Sequence, residues 1–135
     1  MEPSTINYWA ILVASITAFV IGGLWYSPAL FANVWMKEAG LDKGNIESAN
    51  MAKILSLTFL FTLIMAYCLA MFLNDPSIDM TAGAFYGFLT GFGWITLAMA
   101  VNSLYESKSW KYILINGGYW TLVFTLMGLI IGGWK

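Results

Sequence analysis

Four long stretches without a charged residue dominate this sequence: residues 3–36, 54–74, 80–105 and 112–134. The first is too long for one membrane crossing, and Pro28 divides it, which leaves a candidate span at residues 8–26. Each resulting segment has about 20 residues, the length of helix that crosses the roughly 30 Å hydrocarbon core of a bilayer. Apolar residues make up 60% of the chain and charged residues 10%, a composition too apolar for a soluble domain of this size. We predict an all-α membrane protein in which a single domain, residues 1–135, contains four transmembrane helices.

The lysines predict how these helices are oriented. Lys37, Lys43 and Lys53 follow the first span, Lys108 and Lys111 follow the third, and Lys135 ends the sequence. The loops after the first and third spans lie on the same side of the membrane, so they share all the lysines except Lys135. Because lysine-rich loops stay in the cytoplasm, we predict that loops 27–53 and 106–111 are cytoplasmic and that both termini are outside.

The first cytoplasmic loop begins with a predicted corner. Ser27 followed by Pro28 is typical of a helix N-cap with proline at the first helical position. Gly40 suits the left-handed position beyond a helix end. Four apolar residues between them share one helical face: Leu30, Phe31, Val34 and Trp35. We therefore predict a short amphipathic helix over residues 28–39 in the cytoplasmic headgroup layer.

Small residues recur at intervals of four in three of the spans. They are Ala10, Ala14, Ala18 and Gly22 in the first span, Gly83, Gly87 and Gly91 in the third, and Gly128 and Gly132 in the fourth. Such stripes let helix backbones approach closely in a membrane. The favoured interpretation is packing of helices within one chain, and the alternative is that the third-span stripe contacts another copy of the chain.

Several kinds of chemistry have no support in the sequence. No charged residue lies deep in any span, although proton relays and ion-coupled transporters need such groups. Histidine and arginine are absent, and no residue spacing is typical of a metal site. Cys68 lies in an apolar stretch and is expected to be buried. We expect no metal, no cofactor and no nucleic-acid partner.

Polar and aromatic residues converge at the cytoplasmic ends of three spans. The members of this polar–aromatic belt are Trp25, Tyr26, Ser27, Trp35, Asn102, Glu106, Asn116 and Tyr119. On a wheel of 100° per residue, Asn102 falls on the same face as Gly91, so we expect it to point inward and to pair with Asn116. The rings could simply anchor the protein at the membrane interface. Alternatively, the belt binds a lipid headgroup or a small polar molecule.

Two segments resemble the DUF1761 family of bacterial integral membrane proteins. They are "GGLWYSPALFANVWMKEAGL" near the start and "NSLYESKSWKYILINGGYWTLVFTLMGLIIGGW" at the end. The most specific parts are the Leu-Trp-Tyr-Ser-Pro corner at 24–28, Trp35, Asn102 with Glu106, and Asn116 with Tyr119. The resemblance implies four spans in a bacterial inner membrane and marks the belt residues, but it implies no activity.

Three functions are compatible with these features. The leading hypothesis is a non-enzymatic helical bundle, homo-oligomeric, whose belt binds membrane lipid or an unidentified small ligand. The alternative is a small channel or carrier built from several copies and lined by neutral polar side chains. A membrane enzyme acting on lipid or quinone through Glu106 or Tyr119 is the least favoured, because histidine, arginine and metal ligands are missing.

Overall fold

Helices form nearly all of the part of the chain that the structure describes. The computed structural model describes residues 6–42, 44–45 and 49–135, and these residues contain no strand. The helices are α1 Tyr8–Trp25, α2 Ala32–Ala39, α3 Met51–Phe72, α4 Met80–Tyr105 and α5 Trp110–Gly133. All but α2 are long and apolar enough to cross a membrane, and each begins and ends within three residues of its predicted bounds. The predicted fold class is confirmed, and the chain is a multi-pass membrane protein. Lys43, which contributes to the predicted orientation, lies outside the described residues.

Each long helix begins at a polar cap just outside its apolar stretch. Asn7, Asn50, Asp79 and Ser109 precede α1, α3, α4 and α5, and each accepts hydrogen bonds from backbone N–H groups in the first turn. In α4, for example, the Asp79 carboxylate lies 2.9 Å from the Ala82 nitrogen. These caps satisfy N–H groups that have no partner within the helix, so the helices begin where the chain enters the membrane.

The predicted start of the amphipathic helix is wrong. Helix α2 begins at Ala32, not at residue 28, and no side chain caps it. The Ser27 hydroxyl instead donates to the Leu24 carbonyl at 2.7 Å. The last carbonyls of α1 also lack partners within the helix, and the Ser27 hydroxyl satisfies one of these, while the N–H of Ala32 bonds to the Ser27 backbone carbonyl. The end of α2 is as predicted, because Gly40 has a φ of 75° and its N–H bonds to the last turn.

Helix α5 is the centre of the fold, since it contacts each of the other described helices. Its residues Val123 and Met127 are completely buried. Helix α3 is more peripheral and packs through its second half, where Ala66 is buried, while residues 51–58 are all exposed. Cys68 is also exposed, so the expectation that it is buried is wrong.

Glycines bring the backbones of α4 and α5 into contact. A Cβ atom placed on Gly83 would lie 2.2 Å from the Gly128 carbonyl oxygen, and one on Gly87 would lie 2.1 Å from the Phe124 carbonyl oxygen. Gly132 is similarly close to the backbone at the start of α4. The third-span glycine face is therefore covered by α5 of the same chain, and homo-oligomerisation stays a prediction.

A π-helical segment, Gly91–Thr96, interrupts α4. Because a π-turn contains one extra residue, it rotates the following residues relative to a continuous α-helix. Beyond Gly91, the buried residues of α4 are therefore Thr96 and Ser103. Asn102 is exposed, so the prediction that it points inward is wrong.

Candidate functional site

The site lies where α1 ends and α5 begins, at the end of the helices that carries Lys37, Lys53, Lys108 and Lys111. We call this the lysine-rich end, and the opposite end, with Asp75 and Asp79, the acidic end.

Two aromatic side chains at the end of α1 face inward and bond to α5. The Trp25 indole donates from Nε1 to the Ile115 carbonyl at 2.9 Å. The Tyr26 hydroxyl donates to Asn116 Oδ1 at 2.5 Å. Gly118 leaves space for the indole, because a Cβ atom there would lie 3.0 Å from the Trp25 ring. These bonds hold the corner between α1 and α2 against the first turns of α5.

Tyr119 extends this contact deeper into the membrane-spanning region. It is buried, and its hydroxyl donates to the Ala18 carbonyl at 3.0 Å. A Cβ atom on Gly22 would lie 3.0 Å from the same hydroxyl. The small residues of α1 thus make room for a tyrosine of α5, and the centres of the Tyr119 and Tyr26 rings are 5.5 Å apart.

The loop and α2 add two more rings. Trp35 packs edge-on against Tyr26 with 5.3 Å between ring centres, and Phe31 packs against Trp25 at 4.8 Å. Each such pair contributes about 0.5–1.5 kcal/mol beyond the area that it buries. Trp25, Tyr26, Trp35, Asn116 and Tyr119 therefore form one contiguous group, which we call the aromatic–amide cluster.

Hydrogen bonding orients the Asn116 amide within this cluster. Tyr26 follows the last residue of α1, and its burial, with smaller contributions from Tyr119 and Tyr112, raises its pKa above the usual range. The phenol is therefore protonated at neutral pH and donates to Asn116 Oδ1. No described hydrogen bond uses Asn116 Nδ2. Every fully buried nitrogen or oxygen of a described side chain has a partner, so Nδ2 is not fully buried. A cation lies nearby, since Lys108 Nζ is 5.4 Å from the centre of the Tyr112 ring.

Three of the predicted belt residues lie outside the cluster. Ser27 is half-buried and its hydroxyl bonds back to α1. Asn102 is exposed on α4 and Glu106 is exposed directly after its last residue, and no described hydrogen bond joins either side chain to the cluster. The structure thus brings together five of the eight predicted residues, and ligand binding by any of them stays a prediction.

Sequence reasoning missed one polar contact between α4 and α5. The Thr96 hydroxyl donates to the Gly117 carbonyl at 2.9 Å and lies 3.0 Å from the Thr121 hydroxyl. Gly117 permits this approach, since a Cβ atom there would lie 2.5 Å from the Thr96 methyl group. The only sequence signal was a threonine and a glycine at similar depth in neighbouring spans. The contact satisfies buried polar atoms within the chain.

A family model described as "Protein of unknown function (DUF1761)" matches residues 9–132. No curated protein and no solved structure matches the chain. The matched residues include the entire aromatic–amide cluster, but the match supplies neither a ligand nor an activity.

Proposed function

The chain belongs to the DUF1761 family of proteins of unknown function, and we propose that it binds the headgroup of a membrane lipid at the aromatic–amide cluster without catalysing a reaction. The observation that carries this proposal is the 2.5 Å hydrogen bond from Tyr26 to Asn116 Oδ1. That bond fixes the amide plane, so that Nδ2 is presented as a donor at the surface. A phosphate oxygen of a headgroup is the acceptor that such a donor would meet at the membrane boundary.

The surroundings of this donor support a headgroup as the ligand. Trp35 and Tyr26 have amphipathic rings, which are favoured where hydrocarbon meets the polar layer. The Tyr26 hydroxyl bonds to the amide and Trp35 packs against the Tyr26 ring, so their role extends beyond anchoring the corner. Lys108, close to the start of α5, supplies a positive charge that attracts phosphate.

The side chains of the cluster support a binding role over a catalytic one. The cluster contains phenol, indole and amide groups, and none of its members is a carboxylate, imidazole, thiol or amine. In the described transmembrane helices, charged residues occur only in the first turns of α3 and α5. General acid–base or nucleophilic catalysis needs a positioned titratable group, and Tyr26 and Tyr119 already donate within the chain.

The proposed orientation and assembly follow the sequence prediction. The lysine-rich end lies in the cytoplasm of a bacterium, the acidic end and both termini lie outside the inner membrane, and several copies of the chain associate. Because α5 covers the glycine face of α4, the proposed contact between copies uses other surfaces, such as the exposed residues 51–58 of α3.

The lipid that is retained through purification tests the proposed function. We expect the full chain, purified in mild detergent from liposomes, to retain phospholipid, and Asn116→Leu to retain about one lipid fewer per chain because the donor is removed. Asn33→Leu is the matched control, since Asn33 is exposed on α2 and lies outside the cluster. Equal retention by Asn116→Leu and Asn33→Leu would refute binding at the cluster.

A flux assay separates this function from the channel or carrier alternative. Liposomes containing the full chain are expected to show no more solute or ion leakage than empty liposomes. Leakage that depends on the protein and disappears in Asn116→Leu would overturn the binding proposal in favour of an oligomeric pore or carrier.

A further inference from the structure

A groove separates α3 and α4 at the acidic end, opposite the end of the fold that holds the aromatic–amide cluster. The two helices are joined by residues 73–79 but hardly touch each other. The space between them has a volume of about 470 Å³. Its walls are mainly apolar and include Leu69, Phe72, Leu89 and Trp94, and its polar lining includes Asp75 and Tyr86.

Two aromatic rings form part of the apolar lining of the groove. Phe72 of α3 and Trp94 of α4 meet edge-on, with 6.3 Å between ring centres. Leu89 also lines the groove and is 44% exposed. An alkyl chain lying in the groove would contact both helices.

The polar mouth of the groove contains the carboxylate of Asp75, with the Lys135 ammonium nearby. Asp75 Oδ1 accepts hydrogen bonds from the Ser77 N–H at 2.8 Å and from the Ser77 hydroxyl at 2.6 Å. These two bonds, with a smaller contribution from Lys135, lower the pKa of Asp75. Lys135 donates to the backbone carbonyls of Leu73 and Asp75, and no described ion pair engages the Asp75 carboxylate. The mouth therefore offers an ionised carboxylate to a positively charged group.

The lining of the groove also contains a hydrogen-bond donor. Tyr86 lines the groove, and none of the described hydrogen bonds uses its hydroxyl. Tyr86 follows Asp79, the cap of α4, by seven residues, which corresponds to about 10 Å along a helix. From the acidic end along α4, the lining thus runs from the carboxylate of Asp75 in the preceding loop to the phenol of Tyr86 and then to the apolar Leu89 and Trp94.

This order matches the chemistry of one class of ligand. We propose that the groove binds a phospholipid with an ammonium headgroup, with the ammonium at Asp75, an ester carbonyl at the Tyr86 hydroxyl and one acyl chain along Leu89. The site is independent of the aromatic–amide cluster, because the groove lies at the acidic end and the cluster at the lysine-rich end of the helices, and the two share no residue.

Native mass spectrometry of the delipidated full chain tests this proposal. With phosphatidylethanolamine and phosphatidylglycerol supplied together in detergent, we expect one lipid per chain at the groove, with the ethanolamine lipid favoured about two- to fivefold, as for an exposed ion pair. Leu89→Trp fills the groove and should reduce this binding at least tenfold. Leu97→Trp is the matched control, because Leu97 is on the same helix, is 47% exposed and does not line the groove.

Two further variants separate the headgroup contact from general surface charge. Asp75→Asn should retain lipid but lose the preference for the ammonium headgroup. Asp79→Asn should keep the preference, because Asp79 is at the same end but does not line the groove, and asparagine can still cap α4.

Three results would overturn the proposal. One is equal lipid binding by Leu89→Trp and Leu97→Trp, and another is equal binding of the two lipids by the wild-type chain. The third is a loss of any oligomer that the wild-type chain forms, with lipid binding unchanged, in Leu89→Trp, which would assign the groove to a second copy of the chain. If Leu89→Trp fails to fold by circular dichroism, Asp75→Asn decides alone, because a preference that survives in Asp75→Asn also overturns the proposal.

Discussion

Replacing Gly87 with alanine should separate α4 from α5 and destabilise the protein. The added Cβ atom would lie 2.1 Å from the Phe124 carbonyl oxygen and 3.2 Å from the Gly128 Cα atom. These neighbours are backbone atoms, so no change of side-chain rotamer relieves the overlap. The two helices must instead move apart by about 1 Å to restore ordinary contact distances.

The magnitude follows from two opposing effects. Moving packed surfaces apart by about 0.5–1 Å removes a quarter to a half of the dispersion energy of each contact, and inserting one carbon into a tight interface costs about 1–3 kcal/mol. Alanine returns up to about 1 kcal/mol, because it favours the helix more than glycine does. Since α4 and α5 form the most extensive helix pair of the fold, we expect Gly87→Ala to lower the free energy of unfolding by about 2 kcal/mol.

Reversible unfolding in mixed micelles measures this difference, with sodium dodecyl sulfate as the denaturant and circular dichroism as the signal. Gly93→Ala is the matched control on the same helix, because a Cβ atom at Gly93 meets nothing within 4 Å. Gly93→Ala should be neutral or slightly stabilising. If Gly87→Ala is as stable as Gly93→Ala, the close α4–α5 contact is incorrect.

Three further predictions concern the two ends of the helices. In a Cys68→Ala background, a reagent that cannot cross the membrane should label Asp75→Cys from outside but not Lys108→Cys, and the reverse pattern would invert the proposed orientation. Ser77→Ala should raise the pKa of Asp75 towards its usual value, because it removes the hydrogen bond from the Ser77 hydroxyl, the largest cause of the lowered pKa, while the bond from the backbone N–H remains. A carboxyl-carbon NMR titration measures the shift. The pKa of Asp75 is lower in the folded state than in the unfolded state. The stabilisation from Asp75 is therefore present above its unfolded pKa and is lost as the pH falls through the folded pKa. Ser77→Ala should move that loss to higher pH. Ser27→Ala should cost less than about 0.5 kcal/mol in the micelle assay, because Ser27 does not cap α2, whereas a loss of about 1–2 kcal/mol would indicate a cap.

The depth of each residue in the membrane could be predicted from the sequence, because it depends on position along an apolar stretch. The same reasoning placed Tyr26, Asn116 and Tyr119 at one level, and the structure brings these three into contact. Helix length and chain direction suffice for such predictions.

The rotation of a helix about its axis could not be predicted in the same way. A continuous wheel carries the face of Gly91 to Asn102, whereas the π-helical segment carries it to Ser103. A Cβ atom on Gly91 would lie 2.6 Å from the Phe124 Cβ atom, so this register depends on contacts between helices. A wheel drawn for one helix does not include those contacts.

The corner shows a second limit of local reasoning. The Ser-Pro pair at 27–28 is a strong start signal for a helix, yet the hydroxyl of Ser27 serves the end of α1. The Ser27 hydroxyl could have bonded either to the end of α1 or to the start of α2. In the structure it bonds to α1, and Phe31 packs on Trp25 while Trp35 packs on Tyr26. These contacts involve residues outside the Ser-Pro pair, so the pair alone does not predict which helix end Ser27 serves.

A density map of the full chain in a lipid nanodisc tests whether the aromatic–amide cluster binds a lipid headgroup. We expect headgroup density with a phosphate oxygen about 3 Å from Asn116 Nδ2 and in contact with the Trp35 ring. A map in which Asn116 Nδ2 is covered by protein, or in which all lipid at this end lies outside the cluster, would refute binding at the cluster.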